Sequence, residues 1–351
     1  MKRLFCTLLG FAILLAPTVS FADEADTFLQ SEMQKHQIAG LSLMVIKSGR
    51  QVKAAGYGVA NLELNVPATT NTVYEIGSVT KQFTAAGILL LAQDGKLSLD
   101  DKISAHLKDT PASWSNITVR HLLTHTSGIT NYTGLDGFEL RRHLTQAQFI
   151  REIGKYPLAF QPGDKWSYCN SGFSLLGYII ENVSGTNYWE FQRERIFKPL
   201  GMEATRDRNP HVVILNRASG YELTNHVSIN RDYDLTDIFS AGAIVSTVAD
   251  MAKWDAALNG DALLTAASKQ AMWTPAKLND GKIKNYGFGW FLDPYKGHKS
   301  IGHNGATSGF SAAIQRFPDD ALAVIILSNT DEQIASTLAK KVAELYFDKK
   351  P

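Results

Sequence analysis

Segments with the pattern of strands lie near both ends of this 351-residue chain, and segments with the pattern of helices lie between them. Apolar runs bounded by turn residues predict strands at residues 41–46, 51–60, 288–292, 309–317 and 321–327. Strands so far apart in sequence share a core only if the two ends of the chain meet. We therefore expect an α/β (α+β) fold, with one antiparallel sheet built from both termini and flanked by helices.

The middle of the chain has a helical pattern. Apolar residues recur every three to four positions at residues 80–93, 146–153, 172–183, 188–196 and 247–258. Near the C-terminus, one face of a further expected helix carries Ile334, Leu338, Val342 and Leu345. A mostly helical region is thus inserted into the sheet, and a cleft where the two regions meet is the expected place for a site.

The first 22 residues have the pattern of a secretory signal peptide. Lys2 and Arg3 precede an apolar stretch, and Ser20 and Ala22 supply small residues at the cleavage positions. We expect cleavage after Ala22 and export to the periplasm or the extracellular space. An uncleaved membrane anchor is the alternative, although the apolar run is short for a bilayer. No later stretch is apolar enough to cross a membrane.

The rest of the chain, residues 23–351, is expected to be one domain. Its sheet region takes in about 23–77 and 284–351, and its helical region about 78–283. A formal net charge of +1 gives no sign of a nucleic-acid partner. Of the two cysteines, Cys6 leaves with the signal peptide, so Cys169 has no partner for a disulfide and is expected to be a small buried filler that points away from the cleft.

Ser78 and Lys81 form the first candidate for chemistry, at the start of the helix expected at 80–93. Residues three apart share a helical face, so Lys81 can reach the Ser78 hydroxyl. A serine needs a nearby base to act as a nucleophile, and a desolvated lysine is neutral enough to be that base. The pattern alone is short, and an ordinary N-cap serine with a solvated lysine is the alternative.

Three further segments strengthen this interpretation: Tyr168-Cys169-Asn170, His303-Asn304-Gly305 and residues 121–129. With Ser78-x-x-Lys81 they give the chain a resemblance to the serine β-lactamase and penicillin-binding superfamily. The branch it resembles contains class C β-lactamases, D,D-peptidases and related esterases. Longer matches support the resemblance, which extends from about Phe28 onward, at residues 76–85, 119–129, 161–177, 240–254, 286–290 and 302–310.

The resemblance implies a β-lactamase/transpeptidase-like fold and a role for each motif residue. Ser78 would attack a carbonyl carbon and form an acyl-enzyme, with Lys81 accepting or shuttling the proton. Tyr168 would be the partner base, as a phenolate or through Lys81, and Asn170 would hold Lys81 and a substrate amide oxygen. The backbone amides of Ser78 and Ala306 would form the oxyanion hole.

The third motif departs from the usual Lys-Thr-Gly of this superfamily. His303, Asn304 and Gly305 are implied to bind substrate, but a histidine is mostly neutral at pH 7. It can donate a hydrogen bond to Tyr168 or to substrate, but it offers a carboxylate no permanent charge. We therefore expect weak activity on penicillins and better activity on neutral esters, or on peptides that lack a critical carboxylate.

Other candidate sites are less well supported. His121 and His125 lie one helical turn apart, but a zinc protease would have Glu where this chain has Leu122. We expect both histidines to be structural, and no metal or cofactor to be needed. The glycine-rich stretch 286–290 is expected to be a strand that lines the sheet, and 141–142 a solvated helix face.

The resemblance implies a secreted serine hydrolase that cleaves an ester or amide bond, including β-lactam or D-amino-acid peptide bonds. Its partner would be a small-molecule or peptide substrate, and the sequence leaves the oligomeric state open. We find no counterpart of the class A glutamate, so Tyr168 and Lys81 would also release the acyl group. A penicillin-binding or sensor protein that is acylated without efficient turnover is the alternative.

Overall fold

The computed structural model describes residues 23–136, 143–231 and 233–347. Two of the sequence predictions, the signal peptide at 1–22 and the solvated face at 141–142, lie outside the described residues. The helices within the described residues are α1 Glu24–His36, α2 Thr80–Gln93, α3 Val119–Leu123, α4 Gln146–Gly154, α5 Asn170–Ser184, α6 Tyr188–Gln192, α7 Val248–Asn259, α8 Ala266–Met272 and α9 Ala335–Glu344. No helix in this part of the chain is both long and apolar enough to span a bilayer.

The strands in the same residues are β1 Gly40–Lys47, β2 Arg50–Asn61, β3 Val66–Pro67, β4 Tyr74–Glu75, β5 Arg206–Asp207, β6 Tyr221–Thr224, β7 Val227–Asn230, β8 Ile244–Ser246, β9 Ala276–Lys277, β10 Ile283–Lys284, β11 Ile301–Thr307, β12 Phe310–Phe317 and β13 Leu322–Ser328. Six of them form the main sheet in the order β11-β12-β13-β1-β2-β3.

The main sheet joins the two ends of the chain. Strand β1 pairs antiparallel with β13, so that Met44 lies opposite Ile325. Every residue of β1 is buried, as expected for a central strand covered on both faces. The mixed fold with an antiparallel sheet built from both termini is confirmed.

The two faces of the sheet belong to two hydrophobic clusters. Because side chains alternate along a strand, Leu43 and Val45 face a layer that includes Leu29 of α1 and Leu338 of α9. Met44, on the opposite face, belongs to the larger cluster formed with the helical region. The predicted helices in that region are present, with ends that move by one or two residues in most cases.

One predicted strand, at residues 288–292, is absent as a regular element. Tyr286 and Phe291 form only isolated bridges, the latter to Gly302 of β11. Gly289 between them has a φ of +77°, and a Cβ there would lie 2.9 Å from the carbonyl carbon of Lys81. The segment is therefore a turn whose backbone packs against α2, because a glycine allows this close approach.

Candidate active site

The nucleophile segment runs from a short strand into the central helix. After β4, Gly77–Val79 forms a 3-10 turn that leads directly into α2. Ser78 thus lies just before the helix and not in its first full turn. The helical geometry is continuous enough that Lys81, three residues later, faces the same side as Ser78.

Lys81 is fully buried and makes three polar contacts. Its Nζ lies 3.1 Å from Ser78 Oγ, 2.7 Å from Asn170 Oδ1 and 2.8 Å from the carbonyl oxygen of Ala241. Burial holds the pKa of Lys81 well below its usual value, because the low-dielectric interior disfavours the charged form. Ala241 was not among the site residues predicted from the sequence, although it lies in the matched segment 240–254.

Tyr168 covers the lysine. Lys81 Nζ lies 4.7 Å from the centre of the Tyr168 ring. Burial raises the pKa of the Tyr168 hydroxyl, and a side-chain hydrogen bond with Ser78 opposes that shift. The phenol is therefore protonated at neutral pH, whereas the sequence analysis also allowed a phenolate.

Asn170 is oriented by two residues that the sequence analysis missed. Its Nδ2 donates to Thr133 Oγ1 at 3.0 Å, and its backbone N–H donates to Asn131 Oδ1 at 2.9 Å. With the amide nitrogen held in this way, Oδ1 faces Lys81. Both residues come shortly after the motif at 121–129, and that position was the only available signal.

The main chain on the sheet side of Ser78 is brought close by two glycines. A Cβ on Gly77 would lie 2.6 Å from the backbone nitrogen of Ala306. A Cβ on Gly305 would lie 1.9 Å from the carbonyl oxygen of Ile76 and 3.0 Å from the backbone nitrogen of Ser78. Only glycine allows this approach, which brings the Ala306 segment of β11 against the nucleophile turn.

His303 adopts a different arrangement from the one expected. Its Nδ1 lies 2.6 Å from the carbonyl oxygen of Asn304, and its Nε2 lies 3.1 Å from the hydroxyl of Tyr286. A carbonyl only accepts, so Nδ1 carries the proton and Nε2 accepts from Tyr286, whose pKa is raised by burial. The ring centre is 6.1 Å from that of Tyr168. Because the only N–H of the neutral ring is donated to the Asn304 carbonyl oxygen, His303 has none left for Tyr168 or for substrate, the hydrogen bond that the sequence allowed.

The charge of His303 does agree with the expectation. Its side chain is 2% exposed. Burial lowers the pKa of His303 to about 3. Asn304 is half-buried and lines a cavity of about 200 Å³, shared with Asp293 and Lys340, whose walls do not include Ser78.

A buried ion pair lies behind the nucleophile turn. Arg208 Nε is 3.2 Å from one oxygen of Glu75, and Thr307 Oγ1 donates to the other at 2.7 Å. Both charged side chains are at least 95% buried. This network joins β4, which precedes Ser78, to the residue that follows Ala306, and the sequence analysis missed it.

The remaining motif residues make contacts with the protein backbone. Cys169 is buried and free, and its thiol contacts the carbonyl oxygen of Ile129. His121 accepts a hydrogen bond from the Thr118 backbone at the start of α3, and His125 accepts one from the Cys169 backbone. In the described part of the chain, no group of three or more His, Cys, Asp or Glu side chains could hold a metal ion.

The chain is similar to known proteins over nearly all of its described residues. The family model described as Beta-lactamase matches residues 25–347. The chain belongs to the beta-lactamase family. The resemblance proposed from the motifs, to the superfamily of β-lactamases and penicillin-binding proteins, is thereby confirmed.

Three proteins to which this chain is similar extend the comparison. Penicillin-binding protein 4* of Bacillus subtilis (strain 168) is 31% identical over 332 residues, which cover 87% of this chain and 71% of that protein. The octameric penicillin-binding protein homologue from Pyrococcus abyssi is 30% identical, with a TM-score of 0.82 over 93% of this chain and 78% of that one. The D-amino acid amidase from Ochrobactrum anthropi SV3 is 26% identical, with a TM-score of 0.78 over 91% and 95%.

Proposed function

We propose that this beta-lactamase family member hydrolyses an ester or amide bond through an acyl-enzyme on Ser78. One observation carries the proposal, namely the set of contacts around Lys81 Nζ. A neutral amine has two N–H groups and one lone pair. The carbonyl oxygens of Asn170 and Ala241 take the two N–H groups, so the lone pair is left for the Ser78 hydroxyl 3.1 Å away.

The first half of the reaction follows from this arrangement. Ser78 Oγ attacks the carbonyl carbon while its proton moves to Lys81 Nζ. The backbone N–H groups of Ser78 and Ala306 stabilise the oxyanion. The bond to the leaving group then breaks, Tyr168 gives its phenolic proton to the leaving atom, and Lys81 returns a proton to Tyr168.

The second half repeats these steps with water. A water molecule attacks the acyl carbon, its proton passes to the basic pair formed by Lys81 and Tyr168, and Ser78 Oγ leaves with a proton from the same pair. This route needs neither a metal nor a glutamate, and it is the class C pattern that the motifs imply. If the water step were slow, the chain would be an acylated binding or sensor protein.

We further propose that preferred substrates have no carboxylate that must be held near the reacting bond. His303 is neutral, and both its ring nitrogens are engaged within the protein. His303 occupies the position of the lysine in the usual third motif, and it supplies no positive charge there. Lys81 is neutral as well, so neither side chain would hold a substrate carboxylate by charge. Simple esters and amides, including D-amino-acid amides of the kind named for the Ochrobactrum neighbour, suit such a site better than penicillins do.

Export remains part of the proposal. The first described residue, Asp23, caps α1: its side chain accepts from the Asp26 backbone, and the Asp26 side chain accepts from the Asp23 backbone. Support for cleavage after Ala22 comes from the sequence: two basic residues, an apolar stretch and small residues at positions 20 and 22. The intact mass of protein secreted from a host that exports it would test this, and retention of residues 1–22 would contradict it.

A substrate panel tests the hydrolase proposal. Nitrocefin, p-nitrophenyl butyrate, D- and L-phenylalanine amides and a D-Ala-D-Ala peptide would be compared for the wild-type protein and Ser78→Ala. We expect the ester and the D-amide to be turned over at least about tenfold faster than nitrocefin, since a lost charged contact is worth roughly 1.5–3 kcal/mol. Ser78→Ala should cost on the order of 10⁴–10⁶ in rate. A variant that keeps a tenth of the activity would exclude Ser78 as the nucleophile, and a burst without turnover would favour the sensor.

A further inference from the structure

His125 holds the segment that carries Tyr168 by two hydrogen bonds. Its Nδ1 accepts the backbone N–H of Cys169 at 3.1 Å, and its carbonyl oxygen accepts the backbone N–H of Ser167 at 3.0 Å. These two amides lie on either side of Tyr168 in sequence. The first also separates Tyr168 from Asn170, the two motif residues whose side chains meet Lys81.

The second ring nitrogen of His125, Nε2, lies in an environment that destabilises the folded protein. Because Nδ1 accepts, the neutral ring carries its proton on Nε2. Nε2 is buried and has no hydrogen-bond partner among the described residues. A buried unsatisfied donor destabilises the folded protein, and a hydrocarbon ring of similar size would avoid that loss. The hydrogen bond at Nδ1 is therefore what the imidazole provides.

The ring itself forms the back of the Tyr168 site. Its centre lies 4.4 Å from that of Tyr168, 4.7 Å from that of Tyr286 and 5.1 Å from that of Phe173. The side chain is 1% exposed. Burial holds the pKa of His125 well below its usual value. The ring stays neutral, and Nδ1 remains an acceptor.

We propose that His125 is a positioning residue, which fixes the phenol of Tyr168 and the amide of Asn170 against Lys81 by accepting the Cys169 N–H. It touches neither Ser78 nor the reacting atoms, and it acts through Tyr168. The inference rests on the proposed hydrolase function, so Ser78→Ala is carried through the same assays. If Ser78→Ala retained activity, the hydrolase mechanism itself would fail, and that result differs from every result that bears on His125 alone.

Two substitutions at His125 separate its acceptor from its bulk. His125→Phe keeps a ring and loses Nδ1, whereas His125→Asn loses the ring and can place an oxygen where Nδ1 was. Asn also tolerates the left-handed φ of 59° at this position. His121→Phe is a matched control, because His121 Nδ1 also accepts a backbone N–H, from Thr118 at 3.1 Å, but away from Tyr168.

For p-nitrophenyl butyrate, we expect His125→Phe to lower kcat by about tenfold to a hundredfold, the scale of a misplacement of about 1 Å, with little change in KM. His125→Asn should keep clearly more activity than His125→Phe, and His121→Phe should match the wild type. If His125→Phe does not fold, His125→Gln takes its place, because its carbonyl lies one bond too far from the Cys169 N–H. Equal losses in the Asn variant and in the variant without the acceptor would overturn the proposal.

A double-mutant cycle with Tyr168→Phe distinguishes positioning from a general structural role. If His125 acts through the Tyr168 hydroxyl, removing that hydroxyl first should leave little for His125→Phe to remove, so the second change should cost less than about threefold. A purely structural effect would instead multiply with that of Tyr168→Phe. Full multiplication, or unchanged kcat in His125→Phe alone, would refute the positioning role.

Discussion

The two sides of Ser78 differ in what they contribute to the site: the helical side contributes polar side chains, and the sheet side contributes closely packed main chain. The helical side contributes the side chains of Lys81, Tyr168 and Asn170. Their function depends on the protonation states of Lys81 and Tyr168. On the sheet side, Gly77 and Gly305 have no side chain, and the main chain around Ala306 can therefore approach the Ser78 turn. The first side is controlled by burial and hydrogen bonding, and the second by steric contact. Changes to the two sides should therefore fail in different ways.

Tyr168→Phe changes the chemistry of the helical side and leaves its shape intact. We expect kcat/KM to fall by about 10²–10⁴, the range for loss of a general acid or base, with an unchanged melting temperature. Tyr178→Phe is a matched control that should keep full activity, because this half-buried tyrosine of α5 packs on Phe149 and Phe239 and not on Lys81. A small loss in Tyr168→Phe with unchanged stability would mean that Tyr168 serves packing and that Lys81 works without it.

Gly305→Ala changes the shape of the sheet side and leaves its chemistry intact. The added methyl would lie 1.9 Å from the Ile76 carbonyl oxygen, so β11 must move away from the nucleophile turn. We expect kcat to fall by about 10²–10³, as when an oxyanion donor is lost, together with a lower melting temperature. Gly260→Ala is the control, since a Cβ there meets nothing within 4 Å. If Gly305→Ala and Gly260→Ala had equal activity, the steric explanation would be wrong.

The sequence predicted the helical side better than the sheet side. Ser78 and Lys81 are three residues apart on one helix, so local periodicity was enough to bring them together. The turn at 288–292 was mistaken for a strand because its apolar residues fit a period of two, whereas its shape depends on the contact of Gly289 with α2. The Glu75–Arg208 pair joins residues far apart in sequence that belong to no motif, and only the fold brings them together.

Acid should weaken the protein, because each side of the site holds a neutral buried histidine. The pKa of His303 is about 3 in the folded protein, against 6.5 when solvated, so between these values only the unfolded chain takes up its proton. For His303, stability is therefore complete above about pH 6.5 and falls as the pH decreases towards 3, by up to about 1.4 kcal/mol per pH unit. Burial lowers the pKa of His125 as well, so its effect has the same sign.

Urea unfolding at pH 7, 6, 5 and 4 would measure this slope. His303→Gln should show a shallower decline than the wild type, and so should His125→Asn on the opposite side of the site. His211→Gln, a substitution at an exposed histidine, is the control variant. A wild-type free energy of unfolding that is flat from pH 7 to 4 would contradict the neutral assignment of both buried rings.

His303→Lys would give the sheet side a charge that it now lacks. We expect activity on carboxylate-bearing substrates, such as nitrocefin, to rise about tenfold relative to p-nitrophenyl butyrate, in line with one charged hydrogen bond. The comparison should be made at pH 7–8 and fixed ionic strength. If the ratio does not change, or if the wild type already uses nitrocefin as fast as the ester, the specificity argument is wrong while the catalytic assignment stands.

The order of synthesis determines when the site becomes complete, because β1 pairs with β13 and Gly305 contacts the Ser78 turn. The nucleophile, its lysine and the tyrosine are all synthesised before β11, β12 and β13. A growing chain therefore carries every reactive side chain well before it carries the backbone amide expected to stabilise the oxyanion. Long-range strand pairing of this kind is slow to form, so catalytic competence arrives with the last part of the domain. A nascent or C-terminally truncated chain would therefore contain every reactive side chain and still lack activity.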